Sequence, residues 1–530
     1  MSLVRAGHSV AGSPDALPGD GSASELLGWV SRYYGSREPA LSFVSSAKGD
    51  LPIRFTTVFS QGSLKRARIR DLEVLLELEH KTVNARLGPL GARPSLQEVT
   101  VENGKDSERL APAAARAGDN SPGSVHALLI HQWFASPTQA GGTRHYELAR
   151  GLLHRGFQFT VVASGLSYLT GTFVTSTRSL TWEEDLDGLR VIRAYTYPSL
   201  HRSYVWRVVS FLSFMVTSVI AALRAGRPDV VLGTSPPIFQ GLSAWFVAVL
   251  RRRPFVLEIR DLWPDFAMEV GVLRNSILIF LARALERFLY ARAKHIIVNS
   301  PAYRDYLLGK GILPEKVTVI PNGVDPALFD PQNRGERVRQ DFHLSDRFVV
   351  TYAGALGLAN DVDTILRAAE RLKEDSRVHF LMAGDGKERL RLEELARTMQ
   401  LPNVTFAGAQ PKSRMPDVIA ASQACLATLK DIPMFRTTYP NKVFDYMAGG
   451  RPTILAIDGV IREVVEAAAG GIFVQPGDDA ALAEAIRVLS RDREAAQAMG
   501  LRARAYVEKH FHRELQADQL AVLLRRIASG

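Results

Sequence analysis

The stretch TTYPNKVFDYMAGGRP, residues 437–452, gathers residue types that hold a phosphorylated ligand. Pro440 suits the first position of a helix, which leaves N–H groups free at that end for an anion. Lys442 places a cation there, and Asp445 follows three residues on, so both side chains share one helical face. A cation at the phosphates and a carboxylate one turn later fit a nucleoside diphosphate, held by its phosphates and its ribose diol. A simple Lys–Asp surface pair explains the same two residues.

FVLEIRDLWPD, residues 255–265, is an apolar run that ends abruptly in charge. Charged groups at the carboxyl end of a buried strand point into the crevice where α/β domains bind ligands. Arg260 is placed to face phosphate, and Asp261 to hold a sugar hydroxyl or accept its proton. The alternative is an Arg–Asp pair that fixes a loop. Gly141-Gly142 separates another apolar run from a helical pattern, a turn that lets backbone N–H groups approach an anion. It is not a GxGxxG fingerprint and no P-loop lysine follows, so neither a nicotinamide nor an ATP site is indicated.

Glycines recur at three successive strand ends: Gly354 and Gly357 in YAGALG, Gly384 and Gly386 in MAGDG, Gly408 in VTFAGAQ. Strand ends without bulky side chains let a ligand touch main chain, and a planar base would be read near Phe406 and Ala407. Asp185-Leu186-Asp187 has an Asp-x-Asp spacing, but within EEDLDG it reads as a solvated turn.

The elements that carry these residues follow an α/β rhythm. From Val125 onward, short β-rich runs alternate with amphipathic helical stretches, the pattern of parallel α/β domains. The rhythm restarts after Pro326, so two doubly wound domains are expected, 123–325 and 326–510, with a final helix at 511–530 packing back on the first. Ligand would lie between them, beyond the carboxyl ends of the strands. Residues 1–122 read as a largely disordered, low-complexity extension, with one short helix around 70–80 and a flexible linker at 110–124.

Of 530 residues, 46% are hydrophobic and 23% charged, a globular balance, and the length calls for more than one domain. Cys425 is the single cysteine, which excludes an internal disulfide framework and points to a reducing compartment. The first residues hold no apolar stretch of signal-peptide length, so export is not expected. Net charge is uneven. Residues 123–325 carry 22 Lys/Arg against 14 Asp/Glu, while the segments on either side are nearly balanced. Such an excess attracts nucleic acid or an anionic membrane, or is simply an Arg-rich surface. The uncharged run 208–223 is short of the roughly 20 residues that span a bilayer. Arg202, Arg207, Arg224 and Arg227 flank it, and Arg251-Arg252-Arg253 follow a second apolar stretch at 245–250. A helix lying at a headgroup surface is favoured, with a buried core helix as the alternative.

Taken together, Gly141-Gly142, EIRDLWPD, VIPNGVDPALF, YAGALG, MAGDG and PNKVFDYMAGGRP resemble the family-4 retaining glycosyltransferases, whose GT-B fold sets two Rossmann-like domains across a cleft. RDLWPD followed by PNKVFDYMA is most similar to the O-antigen and capsular polysaccharide branch, which includes N-acetyl-fucosamine transferases. The resemblance covers about residues 125–525. It implies transfer of a sugar, an N-acetylated hexosamine or 6-deoxyhexosamine, from a UDP-sugar to a hydroxyl with retention. The implied acceptor is a sugar on a polyprenyl diphosphate at the cytoplasmic face of the membrane, whose anionic surface the basic domain would meet. No metal, cofactor or nucleic acid is implied.

By match to the family's pattern, Asp445 binds the ribose, Gly384, Phe406 and Gly408 lie near the base, and Gly357, Arg436, Asn441 and Lys442 belong to the donor site. The Gly141-Gly142 loop closes over the donor from the other domain. Catalytic roles fall to Asp261, Arg260 and Lys442. Two departures stand out. Relatives often carry a Glu eight residues before the ribose carboxylate, where this chain has Thr437, and many place a His near the strand end held here by Arg260 and Asp261. A UDP-N-acetylglucosamine 2-epimerase shares the architecture, and a non-catalytic nucleotide-sugar-binding scaffold fits the missing Glu. These are the competing readings.

Overall fold

A computed structural model describes residues 124–530, apart from 140, 167–172, 174–178, 199–203, 331 and 345. The expectations for 1–122, including the helix near 70–80, lie outside the described residues.

Runs such as ALLI, VVLGTS and FVVTYA combine β-branched side chains with burial on both faces, and each forms a central parallel strand. The first sheet has eight strands in the order β3-β4-β2-β1-β5-β6-β7-β8. They are β1 (His126–Ile130), β2 (Gln158–Ser164), β3 (Thr181–Leu186), β4 (Leu189–Ala194), β5 (Val230–Ser235), β6 (Phe255–Ile259), β7 (His295–Val298) and β8 (Val317–Val319). The second sheet has six, in the order β11-β10-β9-β12-β13-β14. These are β9 (Phe348–Ala353), β10 (Val378–Ala383), β11 (Val404–Gly408), β12 (Ala424–Thr428), β13 (Thr453–Ala456) and β14 (Gly471–Phe473). Strand order reverses beside β1 in one sheet and beside β9 in the other, so each has its ligand crevice at those carboxyl ends.

The acidic run at 183–188 ends in the solvated turn expected at Asp187-Gly188, but the residues before it form a strand. TWEEDL is an edge strand, β3, antiparallel to β4 through Asp187-Gly188. Both turn residues have positive φ, 55° and 83°, as a two-residue hairpin of the Asp-Gly kind requires. Asp185 accepts from the Gly188 N–H and Asp187 from the Tyr146 hydroxyl, so the Asp-x-Asp spacing serves the hairpin.

Helices cover both faces of each sheet. The helices Arg144–His154 and Arg513–Ser529 share one core with the first sheet, and Tyr204–Leu223, Phe239–Arg251, Ser276–Arg292 and Pro301–Gly309 share the other. In the final helix Ala517, Leu520, Ala521, Leu524 and Ile527 are buried among Leu129, Leu148 and Leu152 of the first domain. Each such leucine or isoleucine is worth about 1.5–3 kcal/mol, so this crossover is a strong tie. The chain therefore passes between the domains twice, and the passes pair: Val324 N–H donates to Phe511 O (3.1 Å) and Arg513 N–H to Val324 O (2.9 Å).

The uncharged run at 208–223 belongs to a longer helix, Tyr204–Leu223, long and apolar enough to cross a membrane by length and composition alone. One face is committed to the core through Phe214, Ser218, Ala221 and Ala222, while Leu212, Val216, Ile220 and Leu223 are exposed. Phe246, Val249 and Leu250 of the next helix are exposed beside it in the same layer.

Candidate functional site

On the second domain, β9 ends at Ala353, just before Gly354, and the helix Asn441–Ala448 begins after Pro440, which stands one place before the helix in extended backbone. Among the described residues no side chain caps that helix start. Lys442 reaches from its first turn to the Tyr352 hydroxyl (2.8 Å) and Asn360 Oδ1 (3.3 Å), with its ammonium 4.0 Å from the Tyr352 ring centre. Burial pulls its pKa down to about 7. Lys442 is thus a partly buried lysine with only neutral hydrogen-bond partners, beside the Gly354 turn.

Asp445 does not pair with Lys442, although the two share a helical face. Its partner is Lys412, Nζ to Oδ2 at 2.5 Å. Burial raises the Asp445 pKa and Lys412 opposes the rise. Lys412 also crosses the cleft: its backbone N–H donates to Gln139 O (3.1 Å), and Ser413 N–H to Pro137 O (2.9 Å). Gln139 and Pro137 lie in the loop leading to Gly141-Gly142, so that loop faces Asp445. Gly141 has φ 144°, and a Cβ on Gly142 would meet nothing within 4 Å, which leaves its backbone open to a ligand.

The glycine series divides. Gly357 is open: a Cβ added there would meet nothing nearer than 3.5 Å, as a ligand-facing glycine requires. Gly384 and Gly386 are not open: their Cβ atoms would stand 1.8 Å from Gly354 O and 2.4 Å from Leu356 O. Their smallness serves the packing of one loop on another, not direct ligand access. Gly408 has φ 68° beside a register shift between Met382 and Ala383, and Phe406 is half-buried on β11. Arg436 lies half-exposed on Asp431 (3.1 Å), and Asn441 is exposed, so neither is gathered with Lys442.

On the first domain, β6 delivers Arg260 and Asp261 to the cleft. Asp261 is partly buried, and burial raises its pKa to about 6 against the pull of Arg260. Tyr303, within electrostatic reach of Asp261, is hydrogen-bonded at Thr437, and Ser300 Oγ donates to Thr437 O (2.6 Å). Phe266 stacks on Phe435 with ring centres 5.7 Å apart. The Thr437 segment is thus held against the first domain by residues that neighbour Asp261.

Four residues absent from the sequence reading support this side. His131 follows β1 directly and is buried. Its Nε2 lies 3.4 Å from Arg260 Nη1 and its Nδ1 2.8 Å from Thr234 Oγ1. A guanidinium only donates, so Nε2 is the acceptor and Nδ1–H the donor. Burial, His145 and Arg260 keep the ring neutral. Glu258, inside β6, holds Arg144 Nε (3.0 Å) and His145 Nε2 (2.5 Å). Burial opposes its ionisation, but His145 and Arg144 carry its pKa well below the usual carboxylate range. Arg144 in turn donates to Ile320 O (2.8 Å) and Pro321 O (2.6 Å), joining the glycine-loop helix and the Asp261 strand to the interdomain link. A glutamate within FVLEI and a histidine just past ALLI were the signals that could have found them. Among the described residues, no three His, Cys, Asp or Glu side chains are grouped to hold a metal.

A profile of the glycosyl transferase 4-like domain matches residues 140–323, and one of the glycosyl transferases group 1 matches 347–492. The chain belongs to the two-domain glycosyltransferases of the GT-B fold. Among its relatives is an Escherichia coli protein named as a colanic acid biosynthesis glycosyl transferase, WcaI, 22% identical over 68% of this chain and 91% of the relative. The sulfoquinovosyl transferase SQD2 of Arabidopsis thaliana is 23% identical over 62% of each chain. The alpha-galactosylglucosyldiacylglycerol synthase of Streptococcus pneumoniae is 30% identical over 35% of this chain and 51% of the relative. This glycosyltransferase thus spans less than two thirds of the latter two.

Solved structures agree on the fold. Sucrose-phosphate synthase from Thermosynechococcus elongatus superposes with a TM-score of 0.61 at 20% identity, over 76% of this chain and 99% of the other. Anabaena HepE in complex with UDP and glucose gives 0.58 at 19%, over 75% and 98%. In the glycosyltransferase, both sides of the cleft therefore lie within matched domains.

Proposed function

We propose that this glycosyltransferase moves a sugar, an N-acetylated hexosamine or 6-deoxyhexosamine, from a UDP-sugar to a lipid-linked sugar acceptor, with retention and without a metal. The carrying observation is Lys442, a partly buried lysine with neutral partners at the Gly354–Gly357 turn, one helical turn from the Asp445 carboxylate. That spacing suits a diphosphate and a ribose. HepE, of similar fold, was solved with UDP and with UDP-glucose.

In the transfer, the bond from the anomeric carbon to the diphosphate breaks as a bond to the acceptor oxygen forms. The acceptor proton passes to Asp261, which is mostly ionised above pH 6. Charge on the departing diphosphate is met by Lys442 and by the free N–H groups of the helix start.

Support for a lipid-linked acceptor comes from the first domain's surface. Leu212, Val216, Ile220, Phe246, Val249 and Leu250 are exposed, and Arg224, Arg227, Arg252 and Arg253 are exposed near the ends of the same two helices. Apolar side chains ringed by arginine suit an anionic bilayer surface, each cation adding about 1 kcal/mol. The S. pneumoniae relative is named for a glycolipid product. This reading places the protein at the inner face of the cell membrane, in surface polysaccharide synthesis of the O-antigen or capsule kind.

Saturation-transfer NMR against a panel of nucleotide sugars tests the donor. A UDP-N-acetylhexosamine should bind, and Asp445→Ala should weaken it. Failure of every nucleotide sugar to bind would remove the reading. Incubation with the donor alone should leave the sugar unaltered, and an epimerised product would establish the rival instead. Flotation with vesicles containing phosphatidylglycerol should recover the wild type and lose Phe246→Ser/Val249→Ser, and equal recovery of both would remove the membrane component.

A further inference from the structure

Lys412 came from no motif, yet it joins the two halves of the cleft. Its ammonium lies 2.5 Å from Asp445 Oδ2, and the two side chains are only 14% and 16% exposed. An exposed pair of this kind contributes little, but here both charges are largely out of water, and either alone would be costly. Its backbone N–H holds Gln139 O of the glycine loop at 3.1 Å.

The surrounding charges make the pairing necessary. Glu147, on the helix that follows Gly141-Gly142, is largely buried, with 14% of its side chain exposed, and acts electrostatically on Asp445. Its own carboxylate is secured by Arg513 Nε (2.7 Å) and the Thr143 hydroxyl (2.5 Å). Two largely buried carboxylates, one from each domain, thus share a neighbourhood, and Lys412 acts on both. Asp445 is the less supported. Among the described residues its only side-chain hydrogen bond is to Lys412, on Oδ2, which leaves Oδ1 free to accept. The ionisable groups facing Asp445 are Lys412, Glu147 and Arg513.

We infer that Lys412 is a positioning residue for the nucleotide's ribose: it keeps Asp445 an anion, holds one carboxylate oxygen, and leaves the other to accept the 2′- and 3′-hydroxyls beneath the glycine loop. The inference rests on the nucleotide reading above. Without Lys412, burial and Glu147 push Asp445 toward its protonated form, which is a poorer acceptor for a diol. The loss is then greatest at low pH and recovers as pH rises.

The test is calorimetric binding of UDP and 2′-deoxy-UDP to the full chain, as wild type, Lys412→Met and Lys412→Arg, from pH 7 to 9. Wild type should favour UDP over the deoxy ligand by about tenfold. Lys412→Met should bind UDP about tenfold more weakly at pH 7 and lose the preference. Its deficit relative to wild type should shrink as pH rises, and Lys412→Arg should restore both properties. Taking the ratio to wild type removes the titration of Lys442 and of the ligand's own phosphate. Should Lys412→Met fail to fold, Lys412→Gln takes its place in the same comparison. Unchanged affinity and preference in the neutral variant would overturn the inference, as would equal binding of both ligands by wild type. A wild type that binds no UDP would instead refute the nucleotide reading.

Discussion

A Cβ built on Gly384 stands 1.8 Å from the carbonyl oxygen of Gly354. The loops that end β9 and β10 therefore touch backbone to backbone, and Gly386 repeats the contact 2.4 Å from Leu356 O. These loops shape the turn over which Lys442 lies, so glycine here serves the site by building it.

Substitution separates the building glycines from the ligand-facing one. Gly384→Ala cannot be relieved by a flexible side chain, because the obstacle is backbone. It should cost about 3 kcal/mol or more, read as a clear fall in melting temperature. Gly357→Ala meets nothing closer than 3.5 Å. Its melting temperature should stay within a degree or two of wild type while UDP binding weakens. A Gly384→Ala protein as stable as wild type would disprove the backbone contact.

Lys442 makes nucleotide binding pH-dependent. Burial lowers its pKa to about 7, so the free protein loses this charge as pH rises through 7. A bound diphosphate favours the ammonium and raises the pKa again. UDP binding should therefore take up a proton between pH 7 and 9, and affinity should fall by up to about tenfold per unit. Calorimetry in two buffers of different ionisation enthalpy measures that uptake directly. Lys442→Met should abolish it and bind UDP at least about tenfold more weakly.

The fold was largely legible because parallel strands buried on both faces leave continuous apolar runs, as in VVLGTS and FVVTYA. The turn at Asp187-Gly188 was legible as a solvated turn, but the edge strand leading into it was missed because its acidic side chains alternate outward. At the candidate site, the residues that a local motif carries could be named from sequence: Lys442, Asp445, Asp261 and the Gly141-Gly142 loop. Their partners were not, since Lys412 is 33 residues from Asp445 in sequence, and Glu258 is 114 from Arg144. Helical spacing even named the wrong partner for Asp445, because Lys442 turns instead to Tyr352. Periodicity reports which face a residue occupies, whereas burial and charge balance across elements decide what it touches.

Glu258 ties three parts of the first domain together, so its charge should matter to stability before activity. Its pKa is depressed in the folded state, which makes its contribution present above the unfolded value near 4.5 and lost as pH falls. Glu258→Gln leaves the Arg144 cation buried with only carbonyl partners, a change that costs about 3–5 kcal/mol in comparable buried pairs. Thermal melts at pH 7 should show the loss, and the gap to wild type should narrow as pH falls from about 4.5 to about 3. A constant gap across that range would mean that Glu258 is not ionised in the folded protein.

On the proposed function, Asp261 and Lys442 together should set the pH profile of transfer. Asp261, with a pKa near 6, accepts the acceptor proton only when ionised, so kcat/KM should rise with pH through 6. Lys442 in the free enzyme must be protonated to meet the diphosphate, so the same quantity should fall above about 7. The result is a narrow bell. In the donor complex the diphosphate raises the Lys442 pKa, so the alkaline limb of kcat should lie at higher pH than that of kcat/KM. Asp261→Asn should remove the acid limb and lower kcat by about 10²–10⁴-fold, with UDP affinity little changed because Asp261 stands on the acceptor side. A variant that keeps the acid limb would assign it to another group. A variant that loses UDP binding instead of turnover would move Asp261 to the donor side, beside the Thr437 segment that Ser300 and Tyr303 already hold against the first domain.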